Sequence, residues 1–273
     1  MKDISIPEEV KKLLKSRLII HESLPSTNEY CKKDLVSGGQ IVLAQKQTSG
    51  HGRMGRSFVS KTGGLYVSFC FEPNIDAKKL IPVTGMCAVA VRRAIKRCCA
   101  VSPEIKWTND ILLCEKKICG ILAETTFEAG RPKKLIIGIG INLNQPKESF
   151  EGELSKIASS ISALTGKNTD SELLVAILME EIDQAYVALC EGGNAILPYI
   201  EEYRRHCTSL GKEVHILRPA LAPEGTDPRK AFAEDPSIFP TATAVDIDES
   251  FGLIVRYADG KKETLFSGEI SIR

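Results

Sequence analysis

Two rhythms of apolar and polar positions divide this chain. Period-two alternation predicts strands at 17–21, 40–45, 65–71, 105–107, 111–114, 118–127 and 134–143, with turn residues between them. Helical spacing covers 77–100, broken near Pro82, and then 154–207, punctuated by Gly166 and Gly192-Gly193. Ser5-x-x-Glu8 with Pro7 predicts a short helix ending near Lys15, and Ser26-x-x-Glu29 predicts a second one that runs to Gly38-Gly39. A glycine-rich loop fills 48–60. Past residue 207 the pattern changes to four short alternating segments, 213–217, 243–247, 252–257 and 263–266, with Ala258-Asp259-Gly260 as a hairpin turn. Residues 218–240, rich in proline and without periodicity, read as a long loop inserted among them. The expectation is an α+β chain: a mixed central β-sheet flanked by helices in 1–206, then a small β-barrel in 207–273.

Composition narrows what such a chain does. The net charge of +1 disfavours a general nucleic-acid or membrane-surface binder. The longest apolar runs are far shorter than the roughly 20 residues that cross a bilayer, and the N-terminus has no apolar signal stretch, so the cytoplasm is the expected compartment. Nine cysteines, an odd number without a C-x-x-C pair, argue against a zinc ribbon or disulfide frame and for reduced, buried thiols.

The candidate chemistry is concentrated in two places. Between Asp34 and Glu72 there is no carboxylate, where the chain-wide frequency would place about five, yet Lys46, His51, Arg53, Arg56 and Lys61 lie there. Gly50, Gly52 and Gly55 allow close approach of a backbone, and the arginines offer planar forks, so the loop reads as an anion binder. Its G-x-G-x-x-G spacing is not a dinucleotide fingerprint, because a strand follows it rather than a helix. The second place is the turn Lys106-Trp107-Thr108-Asn109-Asp110, followed by Lys117 at a strand start with Gly120 close behind. Each residue alone has an ordinary reading: Lys117 a hairpin residue, Trp107 core, Asn109 or Asp110 a turn cap. A lysine and a carboxylate beside a basic loop suggest phosphate chemistry with Mg²⁺.

Seven blocks, in order, resemble the biotin–protein ligase family: Ser26-Thr27-Asn28, 47–56, Gly64-Leu65-Tyr66-Val67-Ser68, 106–110, Lys117-Ile118-Cys119-Gly120 through Glu124, Gly138-Ile139-Gly140-Ile141-Asn142, and 268–272. The resemblance implies that family's fold, with an SH3-like C-terminal barrel, and its two steps: biotin and ATP give biotinyl-5′-AMP, and a lysine of a biotin carboxyl carrier protein domain takes the biotin. It implies Lys117, Arg53 and Asp110 as catalytic residues. Biotin would meet Ser26, Thr27, Asn28, Gln47, Gly50, Arg53, Lys117 and Gly120. The nucleotide would meet Arg53, Arg56, Trp107, Asn109, Asn142 and Arg273. Biotin, ATP and Mg²⁺ are the implied ligands. The resemblance is to the short form without a DNA-binding domain, so no DNA or membrane partner is expected, while a homodimer is allowed. His51 stands where many members have arginine, and Thr108 where proline is common. The alternatives are a lipoate or octanoate ligase of the same superfamily and a non-catalytic nucleic-acid binder.

Overall fold

The computed structural model describes residues 7–266 and 269–272. Its elements run α1 (Glu8–Arg17), β1 (Leu18–Leu24), α2 (Thr27–Cys31), β2 (Ile41–Gln47), β3 (Leu65–Phe71), α3 (Val83–Cys99), β4 (Glu104–Lys106), β5 (Asp110–Leu113), β6 (Lys116–Glu128) and β7 (Arg131–Ile141). They continue with α4 (Glu153–Ile157), α5 (Ile161–Thr165), α6 (Ser171–Glu191), α7 (Leu197–His206), β8 (Glu213–Leu217), α8 (Pro228–Glu234), β9 (Thr241–Ile247), β10 (Leu253–Arg256), β11 (Lys262–Leu265) and β12 (Glu269–Ile272). None of these helices is long and apolar enough to cross a membrane.

The first sheet has the order β1-β2-β3-β7-β6-β5-β4, with β1 and β2 parallel and the remaining pairs antiparallel. Alternation assigns its two faces. Leu135, Ile137, Ile139 and Ile141 of β7, with Val67 and Phe69 of β3, join the main core against α3 and α6. The residues between them therefore face the other way. There Ile136 and Cys70 pack with Cys31 and Val36 near α2, while Gly138 and Gly140 are left without side chains. The second sheet, β11-β10-β9-β8-β12, is antiparallel throughout. The expected α+β architecture with a small SH3-like barrel is what the chain adopts.

Three local expectations change. The second helix stops at Cys31, where the Lys32 amide closes the last turn onto Asn28 O and Tyr30 O, and the chain beyond it carries Val36 into a buried cluster. Ser26 does accept from the Glu29 amide at 3.4 Å, but the Glu29 carboxylate goes to Lys32 instead of closing a reciprocal box. Segment 218–240 is not a bare loop: Asp227 caps α8 with Pro228 in its first turn, and Ala231 and Phe232 seat it against Leu217 and Phe239. Ser5 lies outside the described residues; Pro7 occupies the cap position of α1. All nine cysteines are free thiols, as the composition implies, and five of them are buried.

The barrel is locked onto the first sheet's helices. Trp107 Nε1 donates to Phe251 O at 3.0 Å, and Phe251 meets Tyr203 of α7 edge-on at 5.2 Å. A methyl on Gly85 of α3 would sit 2.1 Å from the Phe251 ring. Gly85→Ala is therefore expected to cost about 1–3 kcal/mol through overpacking. Calorimetry checks this; an unchanged melting temperature would show that Phe251 is not seated there.

Candidate active site

On the face away from α3, the strands of the first sheet place a row of functional groups side by side. Asp110 on β5 is opposite Gly120 on β6, Gly120 is opposite Gly140 on β7, and Gly140 is opposite Tyr66 on β3. In the next row Leu122 is opposite Gly138, and Gly138 is opposite Ser68. Glycines at 120, 138 and 140 make a floor free of Cβ atoms, onto which flat groups can lie. Phe58 from the loop after β2 rests there: a Cβ on Gly140 would be 2.6 Å from its ring, and one on Gly120 would be 3.2 Å away. Asn28 fills the space over Gly138, with Oδ1 2.1 Å from where a Cβ would stand.

Lys117 reaches this face through a β-bulge. The pairing of β5 with β6 jumps from Ile111↔Cys119 to Leu112↔Lys117, leaving Ile118 as an extra residue. Without it, Lys117 and Gly120, three positions apart, would point to opposite faces. With it, Lys117 Nζ lies 2.6 Å from Asp110 Oδ1, and its Cε is 3.3 Å from the Cβ position of Gly120.

One wall of the site is a chain of hydrogen bonds. The Thr27 amide donates to Gln47 Oε1 at 2.8 Å, and Gln47 Nε2 donates to Ser60 Oγ at 2.9 Å. Ser68 Oγ lies 2.7 Å from Thr27 Oγ1 and 2.6 Å from Asn28 Oδ1, and Asn28 Nδ2 donates to Glu124 Oε2 at 2.7 Å. Lys32 holds the other Glu124 oxygen at 2.9 Å. Ser26, Thr27 and Asn28 are almost fully buried, so each side chain is fixed before any ligand arrives.

The opposite side is cationic. A cavity of about 240 Å³ is lined by the wall, the glycine floor and the five cations Arg53, Arg56, Lys106, Lys117 and Arg229. Asp110 is the sole carboxylate among its described lining residues. Arg53, in the short 3₁₀ turn Arg53–Gly55, donates to Thr108 Oγ1 and, at 3.4 Å, to Asn109 Oδ1. Burial pulls the Arg53 guanidinium below its ordinary range while Asp110 opposes the shift. Burial likewise lowers Lys106, against the pull of Asp110. Both observations describe positive charge held partly out of water, which an anionic ligand relieves.

Most of the residues singled out in the sequence thus meet in one cavity. Gly50 does not line it: the glycine closes the loop, since a Cβ there would stand 2.6 Å from both Phe58 O and Ser60 Oγ. Asn109 and Trp107 line the cavity while serving the frame. Asn109 Nδ2 donates to Ile121 O at 2.7 Å, and the Trp107 ring is buried against the barrel. Asn142 supports the Lys117 strand, Nδ2 donating to Lys117 O at 3.4 Å. Arg273 lies outside the described residues. Reasoning from sequence assigned no role to Phe58, Arg229 or Lys106, the last named only as part of the 106–110 turn, and of the glycine floor it singled out Gly120 alone. The Gly138-x-Gly140 spacing did signal the rest of the floor, since residues two apart in a strand share a face.

The chain is similar to known proteins in sequence and in fold. Residues 20–142 match the model of the Biotin/lipoate A/B protein ligase family. That match covers a little under half of the chain. The relatives and solved structures it resembles are biotin–protein ligases. It is 40% identical over 157 residues to the Bifunctional ligase/repressor BirA of Bacillus subtilis, a match covering 56% of this chain and 48% of that protein. It is 28% identical over 241 residues to the Biotin--[acetyl-CoA-carboxylase] ligase of Paracoccus denitrificans, covering 85% and 92%. The Aquifex aeolicus biotin protein ligase in complex with biotin and ATP superposes with a TM-score of 0.75 at 28% identity, covering 94% of this chain and 98% of that one. The chain thus spans about half the length of the Bacillus relatives it matches.

Proposed function

We propose that this chain is a biotin–protein ligase: it activates biotin with ATP and passes it to a lysine of a biotin carboxyl carrier protein domain. The observation that carries the reading is the single cavity joining a prebuilt polar wall, a Cβ-free floor and the Lys117–Asp110 pair inside a cationic rim. The ureido ring of biotin is a polar group in an otherwise apolar ligand, and Ser26, Thr27, Asn28 and Gln47 supply fixed partners for it. In the first step a biotin carboxylate oxygen attacks the α-phosphorus, the bond to the β-phosphate oxygen breaks, and pyrophosphate leaves with the electron pair. Lys117 and Arg53 face the charge that grows on the α-phosphoryl oxygens, and Asp110 holds Lys117 in place. Arg56, Trp107, Asn109 and Asn142 frame the nucleotide side. In the second step the carrier lysine, as a free amine, attacks the biotinyl carbonyl, loses a proton, and AMP leaves.

The described residues contain no cluster of three His, Cys, Asp or Glu side chains able to hold a metal. Mg²⁺ enters this reading as part of the substrate MgATP, held chiefly by its phosphates, with Asp110 the one carboxylate among the described cavity residues.

The polar wall favours biotin over lipoate, whose acyl chain has nothing to offer Gln47 or Thr27. ATP–pyrophosphate exchange driven by biotin and not by lipoate is the expected result; exchange with lipoate alone would turn the reading to the sister activity. The reading assigns no part to DNA or a membrane. A homodimer is compatible with the sheet edge at β1, where Ile20 is exposed, and light scattering reads it. Gly138→Ala, which drives a methyl into Asn28, should weaken biotin binding by roughly 10- to 100-fold in a direct titration. Unchanged affinity would remove Asn28 from the biotin site.

A further inference from the structure

We infer that Arg229, carried into the cavity by the 218–240 segment of the C-terminal barrel, binds the β- and γ-phosphates of ATP and the departing pyrophosphate. The inference rests on the ligase reading and assigns a role to a segment that reading does not need.

The segment is built as a bracket. Asp227 caps α8, and Phe232 on that helix packs edge-on to His215 of β8 at 4.9 Å and lies 6.2 Å from Phe239. Ala231 is buried in the same cluster. These contacts fix the first turn of α8, and Arg229 in that turn lines the cavity from the barrel side. The other cations of the cavity come from the first sheet and its loop. Arg229 is close enough to Arg56 and Lys106 for its charge to lower both. Asp110 and Asp227 offset part of this repulsion at Arg56, and Asp110 at Lys106, and a phosphate arriving among the three cations would add to that relief.

The order of groups along the cavity says which anion. The strand order β2-β3-β7-β6-β5-β4 puts the polar wall, with Gln47 of β2 and Ser68 of β3, on one side and Lys117 and Gly120 of β6 further across, where a biotin carboxylate and the α-phosphate would meet. Lys106 is on the edge strand β4, paired with Asp110, with Arg229 near enough to act on it and on Arg56, and Arg229 is solvent-exposed. That is where the leaving end of a triphosphate projects and where pyrophosphate departs. Arg229 already has an interaction within the protein, so phosphate competes with it and the gain is at the lower end for a charge-assisted contact.

The test uses the whole protein with inorganic pyrophosphate and ATP as probes. Arg229→Ala should weaken pyrophosphate binding, read by calorimetry on the biotin-bound enzyme, by about tenfold, and should raise the KM for ATP in exchange by a similar factor. Arg229→Lys should recover part of both, since the charge returns without the fork. Biotin affinity, melting temperature and transfer from preformed biotinyl-adenylate should stay at wild-type values. Pyrophosphate affinity unchanged in Arg229→Ala, with a wild type that does exchange, overturns this inference alone. Biotin and pyrophosphate weakening together overturns it in favour of a structural role for the bracket. A wild type that shows no biotin-dependent exchange overturns the ligase reading itself, and this inference with it.

Discussion

Lys117→Gln is expected to slow adenylate formation by roughly 10²–10³-fold while the protein stays folded, the size usual for removing one preorganised donor to a developing oxyanion. Glutamine keeps most of the length and an amide NH₂ that can still donate, so the loss chiefly reports the charge. The bulge that turns Lys117 toward the floor is a backbone feature centred on Ile118, which stays buried, and the substitution does not touch it. Asp110 loses its 2.6 Å partner but keeps Arg53 and Lys106 as nearby cations, so no isolated buried charge is created. Single-turnover formation of biotinyl-AMP, read beside the melting temperature, checks this. Near-normal rates in a folded variant would return Lys117 to the role of an ordinary strand residue.

Arg53→Gly should separate making the intermediate from keeping it. Arg53 spans from the loop to the 106–110 turn through Thr108 Oγ1 and Asn109 Oδ1, so it joins two parts of the cavity rim. In the ligase reading the adenylate phosphate takes that guanidinium, at about 1.5–3 kcal/mol for a charge-assisted contact. Its loss should speed escape of biotinyl-AMP by roughly ten- to a hundred-fold. Lys117 remains, so ATP is still consumed. Escaped adenylate should then label exposed lysines on an unrelated protein added to the mixture. An unlabelled bystander, with adenylate made and released at wild-type rates, would exclude Arg53 as a retaining clamp.

The sequence made legible what depends on local pattern. β3 falls on the predicted 65–71 because an apolar run there is bounded by Gly63-Gly64 and by Pro73. The helices follow from spacing and from glycines that adopt positive φ where they end, Gly166 after the short α5 and Gly192 after the long α6. What stayed hidden depends on pairing between distant segments. The bulge at Ile118 exists only in register with β5, so nothing around Lys117 announces which face it takes. The early stop of α2 is set by Val36 reaching a cluster formed with Val42 and Cys70. Asp227-Pro228 did carry a helix-start signature, masked by the surrounding prolines, but that Arg229 enters the cavity is a property of the packed barrel. The candidate residues were found as sequence blocks, and their roles separate only in three dimensions. Gln47 and Thr27 bond each other in the wall, whereas Gly50 shapes its loop.

The central claim is biotin transfer to a carrier protein, and intact-mass analysis of a biotin carboxyl carrier domain after incubation with this protein, biotin and MgATP tests it most directly. The account predicts a gain of one biotinyl group on a single lysine, requiring both biotin and ATP, and lost when lipoate replaces biotin. A carrier that keeps its original mass in the presence of folded enzyme, or one that gains a lipoyl group instead, would contradict it.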